Sequence, residues 1–444
     1  MKTLILAKDE TNKKPIDARF IFALLAVYFA NASTSEFILG SLLKTALPWS
    51  LAMVFFGVWL IWTLFEDRRE LYRIAKIISP LFFCIAVIYI CQTVSGISNI
   101  DIDKVNKKSQ LWFLLMYSVI TVYYIRHNSN CFKVLLYVSL LDLLVGMCYS
   151  VYILDKYPLL ARYMSTGDPY KHILEEYALY DLAITAGVIS FFEVYGITMM
   201  MPILVYKIFT TPLQKRLWYI GFTIISFVAL FFAQFSIAII LAIVAVLMVL
   251  CYFAVKKIIK KLKEKTPQEV KKIVWIAIAS VAVVLLLLVL FLDDLLLAIV
   301  NLNVLPYEIN VRLHEIYKLI YLPNEMQGTD IMVRFDLYLI SIKSIINNYG
   351  LGNFVVGYGQ VSGHSELLDV IANYGVIFFV FICMFFIRYF NEVKSHVKKD
   401  KRIMCNFCMI IFLLSSILNT SLWVRGLGII ICITPLLIVI EEKS

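Results

Sequence analysis

The sequence predicts an all-α polytopic membrane protein with about twelve membrane-spanning helices, and three observations support this prediction. Of the 444 residues, 61% are hydrophobic and only 16% are charged, whereas soluble domains carry roughly 45–50% apolar residues. The mean hydropathy is +0.84. The charged residues stand in short blocks between apolar runs, and many of these runs reach the length of about 20 residues that a bilayer requires.

The apolar runs give the predicted spans in chain order. They are 18–36, 48–65, 78–97, 109–126, 132–154, 181–208, 217–233, 235–255, 273–299, 367–390, 403–421 and 426–441. The start of the chain has a short apolar core and no small-residue cleavage site, so we expect no cleavable signal. Residues 1–444 are therefore predicted to form a single integral membrane domain.

The loops between these spans alternate in charge, and this alternation predicts their orientation. The positive-inside rule assigns the basic set to the cytoplasm, and this set comprises the N-terminus, 66–76, 126–133, 206–216, 256–272 and 394–402. The other set is poorer in net positive charge and includes the two long loops at 155–180 and 300–366. We expect both long loops to face outward and both termini to lie inside.

The formal net charge of +10 does not predict a nucleic-acid partner, because the lysines and arginines lie beside helix ends. The nine cysteines fall mostly within or beside apolar segments, and their number is odd, so no disulfide framework is predicted. Cys405 and Cys408 have CxxC spacing. Helix packing is the favoured interpretation of this pair, since no second ligand pair accompanies it.

The long outer loop at 300–366 is predicted to be a folded lid over a cavity. Residues 311–322 carry apolar side chains at helical spacing, which is typical of a helix lying along a membrane surface. Residues 331–350 form a second helical stretch that ends at Gly350. A loop of this length without structure is uncommon, so we expect short helices throughout it.

A glycine-rich stretch, "GLGNFVVGYGQVSGHSELLDVIANYG" at 350–375, joins this loop to the next span. Its six glycines favour positive φ angles or close backbone approach to a ligand. His364 lies at the outer mouth of the following span, with Ser362 or Ser365 as its helix cap. Histidine accepts a proton near neutral pH, so His364 is the candidate general base. A cap or a headgroup contact is the alternative.

Arginines are the second candidate set, because positive charge on the outer side runs against the positive-inside trend. Arg312 and Arg334 lie in the long outer loop, Arg162 in the other long loop, and Arg425 between the last two spans. The guanidinium fork suits phosphate oxygens, although lipid headgroups are an equal alternative for any one of them. Tyr358 completes the predicted substrate-binding set.

These residues resemble the O-antigen ligase and polymerase superfamily, and most of all its O-antigen and capsular repeat-unit polymerases. The shared pattern is an arginine that opens a helix, then G-x-G, then H-[SN]-x-x-L entering a span. This chain has Arg334 in "VRFDLYLISIKSI", Gly357 and Gly359 in "GYGQ", and "HSELLDVIANYG" from His364. The match covers roughly 330–390, and the number of spans and the position of the loop extend it along the chain.

The resemblance implies a GT-C-like, metal-independent inverting glycosyltransferase of the bacterial cytoplasmic membrane, with no cofactor and an active site facing the periplasm or exterior. Its donor and acceptor would be undecaprenyl-pyrophosphate-linked oligosaccharides. A chain-length regulator and a flippase of the same pathway would be further partners. A ligase that transfers the glycan to a final acceptor remains the alternative.

Two other classes stay open from the residues alone. A flippase or secondary transporter would fit the charged residues predicted within or near spans, which are Asp142, Glu193, Asp293 and Asp294. No repeated half with broken helices accompanies them. Glu193 fits a transport site, an acceptor site or a structural hydrogen bond equally well. A non-catalytic scaffold would leave the outward histidine and arginines unexplained.

Overall fold

A computed structural model describes most of the chain, and every regular element in the described part is a helix. The described residues are 16–32, 46–95, 108–127, 129–157, 160–161, 191–262, 307–325, 328–356, 359–419 and 424–440. The first eight helices are α1 (Ala18–Ala32), α2 (Ala46–Glu66), α3 (Arg68–Ser95), α4 (Lys108–His127), α5 (Ser129–Lys156), α6 (Phe191–Thr210), α7 (Leu213–Ala233) and α8 (Ser236–Leu262).

The remaining helices surround the glycine-rich stretch and form the C-terminal part. They are α9 (Tyr307–Tyr321), α10 (Asp330–Asn347), α11 (Asn353–Val356), α12 (Glu366–Ser395), α13 (Arg402–Leu418), α14 (Val424–Leu427) and α15 (Thr434–Val439). A π-helical segment, Gly428–Ile433, connects α14 to α15. The loop predicted to face outward thus contains helices α9 and α10 where the apolar spacing predicts them, whereas its orientation and its role as a lid stay predictions.

Six of the described helices are long and apolar enough to cross a membrane, which supports a polytopic, multi-pass membrane protein. They are Leu47–Glu66, Arg68–Ile90, Asn130–Lys156, Leu213–Ala233, Ser236–Lys260 and Glu366–Ser395. Three predicted spans coincide with shorter apolar helices, at Ala18–Asn31, Arg402–Leu418 and Gly428–Val439. The predicted number of about twelve is therefore supported only in part, and the predicted span at 273–299 lies outside the described residues.

Two further predicted spans, 109–126 and 181–208, correspond to α4 and α6, which are not among the six. Nearly every side chain from residue 110 to 125 of α4 is buried, as is every one from 193 to 207 of α6. Two of their hydroxyls bond carbonyls of their own helix, Ser118 Oγ to Leu114 at 2.6 Å and Thr198 Oγ1 to Tyr195 at 2.7 Å. These helices tolerate polar residues because they face other helices rather than lipid.

The packing arranges the other helices around this centre. Helix α6 packs against α7, α8 and α13, while α4 packs against α3 and the C-terminal π-helical segment. Helix α12 lies along α3, and the outer-loop helix α10 packs on α12. The outer-loop helix α10 is thereby fixed to the same span that His364 precedes.

Charged residues connect several helix ends that the sequence assigns to the cytoplasmic side. Arg126 at the end of α4 donates to Glu70 of α3 at 2.6 Å and to Glu392 of α12 at 2.8 Å. The prediction of a loop at 66–76 is wrong. Only Asp67 separates α2 from α3, and the basic residues lie in the first turns of α3. The charges of this segment are therefore held on a rigid helix.

The glycines bring the backbone after α10 against a break in α12. Gly375, at φ 87°, interrupts the helical backbone of α12, and the Gly350 carbonyl accepts the freed Val376 N–H at 2.9 Å. A Cβ built on Gly352 would lie 2.5 Å from the Gly375 nitrogen. The positive φ that the sequence predicts is confirmed at Gly350, Gly352 and Gly375, and the close approach at these positions is to other backbone atoms.

We expect Gly352→Ala and Gly375→Ala each to destabilise the protein by about 1–3 kcal/mol or more, because the new Cβ meets backbone atoms and φ is positive. Thermal unfolding and the yield of monodisperse protein measure the effect. Gly57→Ala in α2 and Gly221→Ala in α7 are the matched controls, since nothing lies within 4 Å of a Cβ there. Equal stability of all four variants would contradict this packing.

Candidate functional site

His364 is held at the start of α12 by the residues on either side of it. Ser365 is the N-cap, and its side chain accepts a hydrogen bond from Leu368 N at 3.3 Å. The backbone N–H of His364 donates to Ser362 Oγ at 3.1 Å. The sequence left both serines as cap candidates, and the structure gives the cap to Ser365. The local chain thus presents the imidazole at the mouth of the helix, as predicted.

Asp369, one turn into α12, ties this loop to α10. Its Oδ1 accepts hydrogen bonds from Ser341 Oγ at 2.6 Å and from Ser362 Oγ at 2.8 Å. The same oxygen lies 3.2 Å from Ser362 N, and Oδ2 accepts from Ser365 N at 3.3 Å. Asp369 as a whole is only 7% exposed. Asp369 therefore positions the segment that carries His364 and connects it to the outer-loop helix.

Arg334, in the second turn of α10, is a cation whose charge acts on His364. Burial lowers the pKa of His364, the Arg334 guanidinium lowers it further, and the Asp369 carboxylate acts in the opposite direction. Because protonation is disfavoured, the imidazole is neutral at pH 7 and can accept a proton. The predicted general base and one predicted phosphate-binding arginine are thus brought together.

The charge of the Arg334 guanidinium also acts on two tyrosines. They are Tyr338, one turn later in α10, and Tyr195, at the start of α6. Burial raises the pKa of Tyr338, while Arg334 opposes this increase. Tyr338 Oη donates to the Leu418 carbonyl at 2.8 Å. Arg334 Nη1 is buried and has no hydrogen-bond partner in the described part of the chain. A buried N–H left unpaired costs about 1–3 kcal/mol, so this nitrogen is suited to an acceptor brought by a ligand.

Asn419, at the end of α13, adds a second unpaired polar atom to the same region. Its Nδ2 donates to Tyr195 Oη, and its carbonyl accepts from Glu366 N at 3.2 Å. Its Oδ1 is buried and lacks a partner among the residues that the structure describes. We call this group the outer polar cluster, and its members are Tyr195, Arg334, Tyr338, His364, Asp369 and Asn419.

Sequence reasoning missed four members of this cluster: Tyr195, Tyr338, Asp369 and Asn419. A signal existed for Asp369, since an acidic residue one turn into an apolar span is a functional candidate by default. The others carry no local signal, because tyrosine and asparagine are ordinary residues at span ends. Only the convergence of α6, α10, α12 and α13 identifies them.

The other predicted residues are placed differently. Arg312 lies on α9, where its Nη1 bonds Glu315 Oε2 at 2.6 Å, so a carboxylate already neutralises it. Arg425 lies in α14, but its side chain is outside what the structure describes. Arg162 and Tyr358 also lie outside the described residues. The proposed contacts of these four with a substrate stay predictions.

A narrow crevice lies between α4, α12 and α14, and it is nearly filled. It has a volume of about 20 Å³ and is lined by Glu366 and Gln110 at its polar end and by Tyr374, Phe378 and Leu427 further along. That volume is room for one water molecule. Helices α4, α12 and α14 are therefore close-packed where they line this crevice.

The described residues form no candidate metal centre. No three His, Cys, Asp or Glu side chains there come together as a metal site would require. Cys405 and Cys408 are buried free thiols of α13, in agreement with the helix-packing interpretation of the CxxC. Glu193, left open by the sequence, is 2% exposed in the first turn of α6.

Asp369→Asn tests the positioning role of this carboxylate. The substitution replaces an acceptor of several hydrogen bonds by a group that presents a donor, so we expect a loss of about 1–3 kcal/mol in stability and faster hydrogen exchange at the amides of Ser362 and Ser365. Thermal unfolding and hydrogen exchange measure the two effects. Asp336→Asn on the exposed side of α10 is the control. Unchanged exchange in Asp369→Asn would remove Asp369 from this role.

Comparison with known proteins gives no assignment. A search with models of known protein families finds no match, and no curated protein sequence matches the chain.

Proposed function

We propose that this protein is a membrane glycosyltransferase that polymerises oligosaccharide repeat units carried on undecaprenyl pyrophosphate. The observation that supports it most directly is the pairing of His364 with Arg334 at the mouth of α12. The imidazole is neutral because burial and the guanidinium lower the pKa of His364, and Arg334 offers a buried, unpaired N–H. The site thus combines a base for a hydroxyl with a donor for an anion.

In the proposed reaction His364 accepts the proton of an acceptor sugar hydroxyl. The hydroxyl oxygen then attacks the anomeric carbon of the donor and forms the new glycosidic bond. The bond from that carbon to the pyrophosphate oxygen breaks, and the electron pair leaves with the pyrophosphate. Arg334 donates to the phosphate oxygens as their charge develops. Attack opposite the leaving group inverts the anomeric centre.

The proximity of Arg334 and His364 also couples substrate binding to basicity. In the free site the guanidinium disfavours the imidazolium. A bound pyrophosphate would offset that charge, so the pKa of His364 would rise when the donor is in place. The imidazole would then accept the acceptor proton more readily, and it would do so only beside a bound donor. Asp369 would hold the imidazolium in place through its opposite charge.

The deciding experiment combines reconstitution with surface-glycan analysis. Purified protein in vesicles receives synthetic lipid-linked repeats, and product length is followed by electrophoresis or mass spectrometry. Polymer on the lipid carrier supports the proposal. In a deletion strain, a single repeat left on its acceptor indicates a polymerase, whereas unattached long polymer indicates the ligase alternative. Intact repeats crossing the bilayer without bond formation would support a flippase instead.

We expect polymerisation to continue in the presence of EDTA and without ATP or an ion gradient. The lipid-pyrophosphate donor is already activated, and Arg334 supplies the positive charge at the leaving group. Sealed and leaky vesicles should give equal rates, within about twofold. Activity lost with chelator and restored by magnesium or manganese would contradict the arginine-based mechanism. A requirement for a gradient would favour the transporter.

A further inference from the structure

A proline inside α3 leaves one of its backbone carbonyls without a helical partner. Pro80 lies within Arg68–Ser95, and proline has no N–H to donate to the carbonyl four residues earlier. That carbonyl belongs to Lys76. Ser79 Oγ donates to it at 3.0 Å. A carbonyl has two lone pairs, so it can accept one further hydrogen bond.

Arg388 of α12 supplies the second donor. Its Nη1 lies 3.1 Å from the Lys76 carbonyl and 2.9 Å from Ser79 Oγ. An arginine that faces the outside of a helix bundle is normally free to change rotamer, at a cost of about 1.5–2 kcal/mol when it is ordered. Here the consequence of Pro80 is that the guanidinium is fixed against α3. The cation is thus pre-organised before any ligand binds.

Beside this contact lies an open groove between α3 and α12, which we call the basic groove. Its volume is about 320 Å³, and it is lined by Lys76, Ile77, Arg388, Asn391 and Glu392. Both cationic side chains are exposed. The Lys76 ammonium lies 4.7 Å from the centre of the Tyr72 ring, one turn earlier in α3. The lining therefore carries two cations, one amide and one carboxylate.

The carboxylate in the wall does not cancel these charges. Glu392 Oε1 is bound by the Arg126 guanidinium, with Nε at 2.8 Å and Nη2 at 2.7 Å. Arg126 in turn also pairs with Glu70. Glu392 is thus occupied on the inner side of the groove, while Lys76 and Arg388 remain the charges that face outward. An anion is the complementary ligand.

The surroundings indicate that this anion is attached to a lipid. The groove lies at the ends of α3 and α12 that the basic loops assign to the cytoplasmic side. Towards the middle of the bundle, Phe83 stacks on Phe381 with ring centroids 3.9 Å apart. The exposed side chains Val380 and Ile387 continue along α12. A ligand with its phosphate in the groove would have its chains beside this apolar strip.

We propose that the basic groove binds the phosphate headgroup of an anionic phospholipid from the cytoplasmic leaflet. Basic pockets between spanning helices on this side are suited to such headgroups, because the leaflet is itself anionic. Arg388 and Lys76 hold the phosphate, Asn391 donates a further hydrogen bond, and the acyl chains lie along α3 and α12. The site is independent of the proposed glycosyl transfer, since it lies at the opposite end of α12 from His364.

The test is thermal unfolding of the purified full-length protein in detergent with added phospholipid. We expect phosphatidylglycerol to raise the midpoint saturably, as a ligand of the native state does, and phosphatidylcholine to raise it little. Arg388→Gln and Lys76→Gln should each weaken the apparent affinity for phosphatidylglycerol about tenfold, the change expected for a lost charge-assisted hydrogen bond. Native mass spectrometry gives the number of bound lipids as a second readout.

Charge-matched variants separate a site from general attraction to the protein surface. Lys257→Gln and Lys260→Gln remove exposed cations of α8, another segment assigned to the cytoplasmic side, and should leave the affinity unchanged. Pro80→Ala restores the helical partner of Lys76 and should weaken binding while keeping both cations. Equal losses in the α8 and groove variants, or equal responses to the two lipids, would overturn the proposal. So would full stabilisation by soluble glycerol phosphate, which carries no acyl chains.

Discussion

Replacing His364 by alanine is expected to lower the rate of polymer formation by ~10²–10⁴-fold, the contribution typical of a positioned general base. The acceptor hydroxyl would then have no group to take its proton. The fold should survive, because the loop is held by Asp369 through Ser341, Ser362 and Ser365 rather than by the imidazole. Rates come from the reconstituted reaction, and size-exclusion profiles report the folded state.

His314→Ala is the matched control for this change. His314 lies on α9, is exposed and stacks beside Tyr317 with ring centroids 6.2 Å apart. It is thus a second histidine of the same predicted outer loop, outside the outer polar cluster. We expect its removal to change the rate less than about threefold. A near-normal rate in a well-folded His364→Ala protein would show that another group takes the proton.

The sequence predicts the helices of this protein better than it predicts the site. Apolar runs of about 20 residues identify spans because a bilayer demands that length whatever the partners of the helix are. This reasoning locates α2, α3, α5, α7, α8 and α12. It predicts too short a helix for α3, because the first turns of α3 are basic and resemble a loop in the sequence. A helix can continue beyond the apolar run when its charged end lies outside the membrane.

The candidate site depends on contacts that no local pattern encodes. His364 and Arg334 were identified because histidine and outward arginine are rare in such a chain. Asn419 and Tyr195 are 224 positions apart, yet they share a hydrogen bond. The positive φ that the sequence predicts is confirmed at Gly352 and Gly375, but the sequence does not show that the close neighbour of each glycine is backbone. A glycine in the sequence indicates that φ can be positive. Which backbone segment packs against that glycine is known only from the fold.

Arg334→Gln should lower the rate by ~10²–10³-fold, the loss typical of removing one donor from a developing oxyanion. It should also shift the pH dependence. Arg334 lowers the pKa of His364, so its removal raises that pKa. The base must be neutral to act, and the rate is lost as the pH falls through its pKa. The acid limb of the rate profile should therefore move to higher pH in Arg334→Gln.

Arg334→Lys separates the two roles of this arginine. Lysine keeps the positive charge that disfavours the imidazolium, so the acid limb should stay near its wild-type position. It cannot offer the planar fork, so the rate should recover only in part. Arg312→Gln is the comparison on α9, where Glu315 already neutralises the arginine, and a smaller loss is expected there. An unshifted acid limb in Arg334→Gln would show that the titrating group is not the imidazole beside Arg334. Full activity of Arg334→Lys, with the limb unmoved in both variants, would assign Arg334 to lipid headgroups instead.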